Sequence, residues 1–152
     1  MKLEAYGRPT VELSEFRLWV HGRQYPEMMD CWDGNWLRIT AHIAQAGASV
    51  VVAGPLLDTV SFLRFARELR ALYEQLEGTA VLESHEPELK VTLRARGQVG
   101  QIEAEVEITP DHLNQEHLFR FSLDQTFLPP VIAQCERVLA EHPVRGASER
   151  GA

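Results

Sequence analysis

The sequence predicts a single α+β domain: an antiparallel β-sheet of about six to eight strands with two amphipathic helices on one face, in a two-layer sandwich. Three observations lead to this prediction. Several segments alternate apolar and polar residues with a period of two, which is typical of half-buried strands. Two further segments repeat apolar residues every three or four positions, as amphipathic helices do. The length of 152 residues is that of one domain.

The first half of the chain contains mostly strands. The predicted strands are residues 10–13, 16–21, 36–43 and 49–53. Trp19 lies on the opposite face from the apolar residues around it, which indicates that this second face is also covered. Ala46-Gly47 separates two apolar segments and predicts a hairpin. Gly54-Pro55 is expected to end the last of these strands.

The strongest element is a helix over residues 58–77. Its apolar stripe contains Phe62, Phe65, Leu69 and Leu72, spaced to form one face. Asp58 or Thr59 is expected to cap its N-terminus. Gly78 is expected to stop it, because glycine readily adopts the left-handed conformation that follows many helices.

The second half contains strands without intervening helices. They are predicted at residues 79–83, 89–96, 101–108 and 117–123. The outer row of residues 89–96 is basic, and the outer row of residues 101–108 is acidic. This arrangement predicts cross-strand charge pairing between neighbours, and a charged binding face is the functional alternative.

A second helix is predicted over residues 127–141. Thr126 is expected to cap it, and Pro129-Pro130 fit because they fall in its first turn. Cys135 belongs to its apolar stripe, where a buried cysteine is expected. We predict one domain over residues 1–143 and a flexible C-terminal tail over residues 144–152.

Charge and hydropathy exclude several classes of partner. The chain carries 15 Lys and Arg against 22 Asp and Glu, a formal net charge of −7. This acidity argues against nucleic-acid and anionic-membrane partners, which require a basic surface. The N-terminus does not resemble a secretory signal, and no stretch reaches the roughly 20 apolar residues of a membrane span. Two cysteines without a CxxC motif suit a reducing compartment, so we expect a cytoplasmic protein.

The motif search does not indicate an enzyme. The six histidines show none of the spacings HxH, HExxH or HxxxH that metal-binding pairs use. The chain also contains no GxSxG elbow, no Walker A motif and no GxGxxG fingerprint. We therefore predict no catalytic residue, no metal and no cofactor.

The densest unusual segment is residues 25–37. Its candidate residues are Glu27, Asp30, Trp32, Asp33, Asn35 and Trp36. A metal loop could use the oxygen atoms of Asp30, Asp33 and Asn35, although their spacing differs from that of a calcium loop. A catalytic pair could join Glu27 or Asp30 with Asp33, but no partner base accompanies them.

Two other interpretations of this segment are compatible with each other. In the structural one, residues 33–35 form a tight turn, their polar side chains satisfy local backbone groups and the tryptophans are buried against the sheet. In the other, indole rings beside carboxylates form a recognition patch, a composition typical of binding hot spots.

Residues 30–37 also carry a family resemblance. The segment resembles the WDxNWL signature of the WapI-type immunity protein family, through Trp32, Asp33, Asn35, Trp36 and Leu37. Cys31 departs from the pattern, because the family often has an aromatic residue there. The order of strands and helices resembles the family over nearly the whole chain.

This resemblance implies a non-enzymatic bacterial protein that binds and neutralises a cognate toxin domain by protein–protein contact. The acidic charge agrees, because many such toxins are basic nucleases and acidity steers their association. The alternative is a structural or regulatory homo-oligomer without a toxin partner, pairing through a sheet edge or the helices. A third hypothesis, a ligand binder or enzyme, would use Glu27, Asp30 and Asp33.

Overall fold

A computed structural model describes residues 2–97 and 99–146. Within these residues it contains eight strands and two helices: β1 (Val11–Leu13), β2 (Phe16–Arg23), β3 (Trp36–Gln45), β4 (Ala48–Asp58), α1 (Thr59–Gln75), β5 (Thr79–Glu83), β6 (Leu89–Arg96), β7 (Gln101–Ile108), β8 (Leu118–Asp124) and α2 (Leu128–Glu141). Residues 147–152 of the predicted tail lie outside the described residues. Within the described part of this segment, Arg145 is hydrogen-bonded to Asn35.

The α+β prediction is confirmed, and every strand pair is antiparallel. The eight strands do not form one sheet, however. They form two sheets of four strands, ordered β1-β2-β3-β4 and β5-β6-β7-β8. The division falls where α1 separates β4 from β5 in the chain and packs against both of them.

One hydrophobic core joins both sheets and both helices. The predicted helix stripes point into it, since Phe62, Leu69 and Cys135 are each fully buried. Burial raises the pKa of the Cys135 thiol to about 12, with the neighbouring Glu136 charge acting in the same direction. Neither of the helices described is long and apolar enough to cross a membrane.

The strand β4 continues past the expected stop at Gly54-Pro55 and ends at Asp58. Proline is compatible with this strand because β4 lies at a sheet edge, where one side needs no ladder hydrogen bond. The register between β3 and β4 shifts between Leu37 and Ile39, so the strand passes Gly54 with an irregularity. The prediction that Gly54-Pro55 ends the strand was wrong.

One of the three predicted helix-capping residues is found in the structure, and two are not. Asp58 caps α1, as expected, by accepting a hydrogen bond from the Ser61 N–H. At the other end Leu76, not Gly78, adopts the left-handed conformation, with φ of 53°. Thr126 does not cap α2: the residue before this helix is Phe127, which makes no capping hydrogen bond. The Asp124 carboxylate accepts the N–H of Thr126 instead.

The two helices also cover one edge of each sheet. The side-chain oxygen of Gln134 in α2 accepts the Glu12 N–H of edge strand β1 at 3.0 Å. The carboxylate of Glu68 in α1 accepts the Val81 N–H of edge strand β5 at 2.9 Å. These acceptors satisfy backbone donors that would otherwise face outward from a sheet edge.

Candidate functional site

The candidate motif residues lie in and beside the connection between β2 and β3, residues 24–35, which we call the β2–β3 loop. The N–H of Gln24 donates to the carbonyl oxygen of Trp36 at 2.8 Å and closes the base of the loop. Residues 33–35 form the tight turn expected from the sequence, as one turn of 3₁₀ helix. The loop therefore has a defined conformation rather than an open one.

Asp30 organises the outer part of the β2–β3 loop. Its carboxylate accepts hydrogen bonds from the backbone N–H groups of Trp32, Asp33 and Gly34 at 3.0 to 3.2 Å. Desolvation alone would raise the pKa of Asp30, but the N–H donors of Asp33 and Trp32 outweigh it and hold the pKa below its usual value. The carboxylate of Asp30 thus holds the turn in place.

Asn35 organises the inner part of the loop. Its side chain is completely buried. The amide nitrogen donates to the carbonyl oxygens of Cys31 at 3.1 Å and Arg145 at 2.9 Å, and the amide oxygen accepts the Arg145 N–H at 2.8 Å. A side chain of the motif therefore connects the loop to the segment that follows α2.

Two arginines clamp the same loop. Arg145 donates to the carbonyl oxygens of Pro26 at 2.8 Å and Met28 at 2.7 Å. Arg23, which is buried, donates to the carbonyl oxygens of Gly34 and Pro143. Burial and the nearby Arg145 charge lower the pKa of Arg23.

Gly34 is required at its position because two backbone segments approach closely there. A Cβ atom on this residue would lie 2.5 Å from the carbonyl oxygen of Met28. No real side chain tolerates that distance without movement of the loop. The glycine of the motif thus permits the packing that Asp30 and Asn35 hold in place.

Three candidate side chains of the loop, by contrast, point outward. Trp32 has 64% of its surface exposed, so the interpretation that both tryptophans are buried against the sheet does not apply to it. Glu27 and Asp33 are also exposed. Sequence reasoning passed over three other exposed apolar side chains of the loop, Tyr25, Met28 and Met29. Together, Tyr25, Glu27, Met28, Met29, Trp32 and Asp33 form what we call the loop surface.

Trp36 lies in a different environment from Trp32. It is the first residue of β3 and lies opposite Asp58, the residue before α1. Its ring is half-buried, and its centroid lies 4.8 Å from that of His85. His85 Nε2 lies 3.0 Å from the Asp58 carboxylate, which also accepts the Ser61 hydroxyl. Because that hydroxyl donates to Asp58 and not to His85, the three side chains form a helix cap and not a nucleophile–base pair.

The carboxylate of Asp58 is held ionised by this cap. Burial alone would raise its pKa, but hydrogen bonds from Ser61 and His85 outweigh the burial and lower it. A cavity of about 140 Å³ borders the group, lined by Asp58, Ser61, Arg64, Glu83, Ser84 and His85 among others. Sequence reasoning missed this cluster because Asp58 and His85 lie on different elements.

The outer face of the first sheet carries a second polar cluster. Arg17 donates to His42 Nδ1 at 2.9 Å, so His42 donates from Nε2 to the Ser49 hydroxyl, also at 2.9 Å. Trp19 is 3% exposed and donates to the Gly7 carbonyl oxygen at 3.1 Å. The expectation that the Trp19 face is covered is therefore confirmed, with the N-terminal residues as its cover.

The charged strands of the second sheet pair with each other, as the sequence predicted. Lys90 lies opposite Glu107, and Arg94 lies opposite Glu103. Ion pairs join Arg96 to Glu103 at 2.8 Å and Arg120 to Glu105 at 3.4 Å.

Among residues 2–97 and 99–146, no group of three or more His, Cys, Asp or Glu side chains could hold a metal ion.

Comparison with known proteins identifies the family of the chain. The model of the family described as the immunity protein WapI-like family matches residues 10–143. These residues contain all eight strands, both helices and the whole β2–β3 loop. A search of the curated proteins and a search of the solved structures each gave no match.

Proposed function

The chain belongs to the WapI-like immunity protein family, and from this membership we propose that it binds a cognate toxin domain and neutralises it. The single observation that carries the proposal is the family match over residues 10–143, which includes every strand and helix. Neutralisation is by protein–protein contact, and the mechanism requires no catalytic residue. The partner is a protein, not a nucleic acid or a membrane.

Two properties of the chain support this proposal. Its net charge of −7 favours rapid association with a basic toxin domain, since opposite charges steer diffusional encounter. The two cysteines are buried thiols, the state that a reducing cytoplasm maintains. We therefore propose that neutralisation occurs in the cytoplasm, where an incoming toxin would act.

Co-expression tests the proposal in cells. The proteins encoded by the genes neighbouring this one are each expressed from an inducible promoter, with and without the present chain, and a domain that arrests growth is taken as the toxin. We expect growth arrest with the toxin alone and normal growth when both proteins are made. Growth arrest in both strains, with the chain present as soluble protein, would contradict the proposed function.

A further inference from the structure

We propose that the loop surface is the site at which the toxin domain binds, and that it fits a basic protein surface with an apolar recess for Trp32. The inference rests on the proposed function and adds to it a place of contact and the chemistry of the partner. Tyr25, Glu27, Met28, Met29, Trp32 and Asp33 are the contact residues. Asp30, Asn35 and Arg145 act behind them as positioning residues.

The apolar exposure of the loop surface is unusual for its size. Ten large apolar side chains are exposed among the described residues, and four of them, Tyr25, Met28, Met29 and Trp32, fall within eight consecutive positions. Clustered exposure of this kind marks interaction sites more often than scattered single side chains do. Tryptophan and tyrosine are also the residue types most enriched among binding hot spots.

Hydrogen bonds fix the conformation of the β2–β3 loop before any partner binds. Three backbone N–H groups donate to Asp30, Asn35 is completely buried, and Arg145 holds two loop carbonyl oxygens. A loop fixed before binding loses less conformational entropy when the complex forms. These hydrogen bonds therefore hold exposed apolar groups in place for a partner.

The charge of the loop identifies the partner chemistry. Residues 24–36 contain three carboxylates and neither lysine nor arginine, and the two arginines that contact the loop, Arg23 and Arg145, donate to its backbone carbonyl oxygens. The Asp30 carboxylate is used within the loop, so Glu27 and Asp33 are the exposed anions of the loop surface. A basic surface complements them, whereas the charged face of the second sheet is already neutralised by its own ion pairs.

The experiment measures binding of an inactivated form of the toxin domain that the co-expression experiment identifies. Two loop variants are used: Trp32→Ala, and the double substitution Glu27→Lys with Asp33→Lys. Leu113→Ala and Glu116→Lys are matched controls, because both residues are exposed in another connection of the fold. Thermal unfolding of each variant checks that the domain remains folded.

We expect Trp32→Ala to raise the Kd by about 30-fold or more, the effect of losing a hot-spot side chain. The double charge reversal should slow association by about tenfold and weaken its dependence on salt, because exposed charges act mainly on the encounter. Both control variants should bind within about twofold of the unsubstituted chain.

Three outcomes would overturn the inference in distinguishable ways. Loop variants that bind as tightly as the controls would place the contact elsewhere and leave the proposed function standing. An unsubstituted chain that does not bind the toxin domain would contradict the proposed function and the loop surface together. A stable homodimer that Trp32→Ala abolishes would make a second copy the occupant and overturn the toxin assignment.

Discussion

At the scale of single residues, the side chains of residues 30–37 have two different roles. Some hold the β2–β3 loop in its conformation, and the Trp32 indole extends from the loop into solvent. Asn35 is completely buried between the loop and Arg145, whereas Trp32 is 64% exposed. The sequence identified this segment because turn residues and indoles are concentrated there. It could not separate the two roles, because Arg145 lies far along the chain and no local pattern connects it to the loop.

Replacing Asn35 with alanine tests the holding role. The substitution leaves the carbonyl oxygen and N–H of Arg145 and the carbonyl oxygen of Cys31 without their partner. We expect the free energy of unfolding to fall by about 2–3 kcal/mol, since buried polar groups lose their hydrogen bonds. Urea denaturation measures this. The exposed Asp33→Ala should change it by less than about 0.5 kcal/mol, and equal effects of the two substitutions would contradict the assigned roles.

At the scale of elements, tertiary contacts explain the differences between sequence prediction and structure. The periodicities located both helices and all eight strands, because the alternation of burial produces them directly. They did not predict two sheets, since pairing partners depend on long-range packing. Leu76 in place of Gly78 at the end of α1 and β4 running through Pro55 likewise go against local preference.

The side-chain oxygens of the helices that accept hydrogen bonds from edge strands lead to a prediction about the second sheet. In Glu68→Ala the N–H of Val81 loses its acceptor, so its hydrogen exchange should accelerate by about tenfold, the worth of one hydrogen bond. Glu68→Gln keeps a side-chain oxygen and should exchange nearly as slowly as the unsubstituted chain. Amide exchange followed by NMR distinguishes the variants. Unchanged exchange in Glu68→Ala would show that the helix does not protect this edge.

At the scale of the whole molecule, the stability of the fold is coupled to pH through three histidines. Burial is the main cause that lowers the pKa of His21, His42 and His142, and nearby arginines lower it further. A histidine with a lowered pKa favours the folded state while it is neutral. Its stabilising contribution is complete above the ordinary value of about 6.5 and is lost as the pH falls through the folded-state pKa.

We therefore expect the free energy of unfolding to decrease between pH 7.5 and pH 5. Urea denaturation at both values measures it. His42→Gln removes the group that accepts from Arg17 and donates to Ser49, so this variant should lose less stability over the same interval. A fold that becomes more stable on acidification would contradict the direction of these pKa shifts.

We propose that this chain neutralises a toxin by contact and not by chemistry. A titration tests it most directly. The toxin domain identified by co-expression is held at fixed concentration, increasing amounts of this chain are added, and toxin activity is measured at several incubation times. We predict complete loss of activity at one equivalent, with the same end point at every time. Loss at far below one equivalent that grows with time would indicate catalysis, and full activity at excess chain would contradict neutralisation altogether.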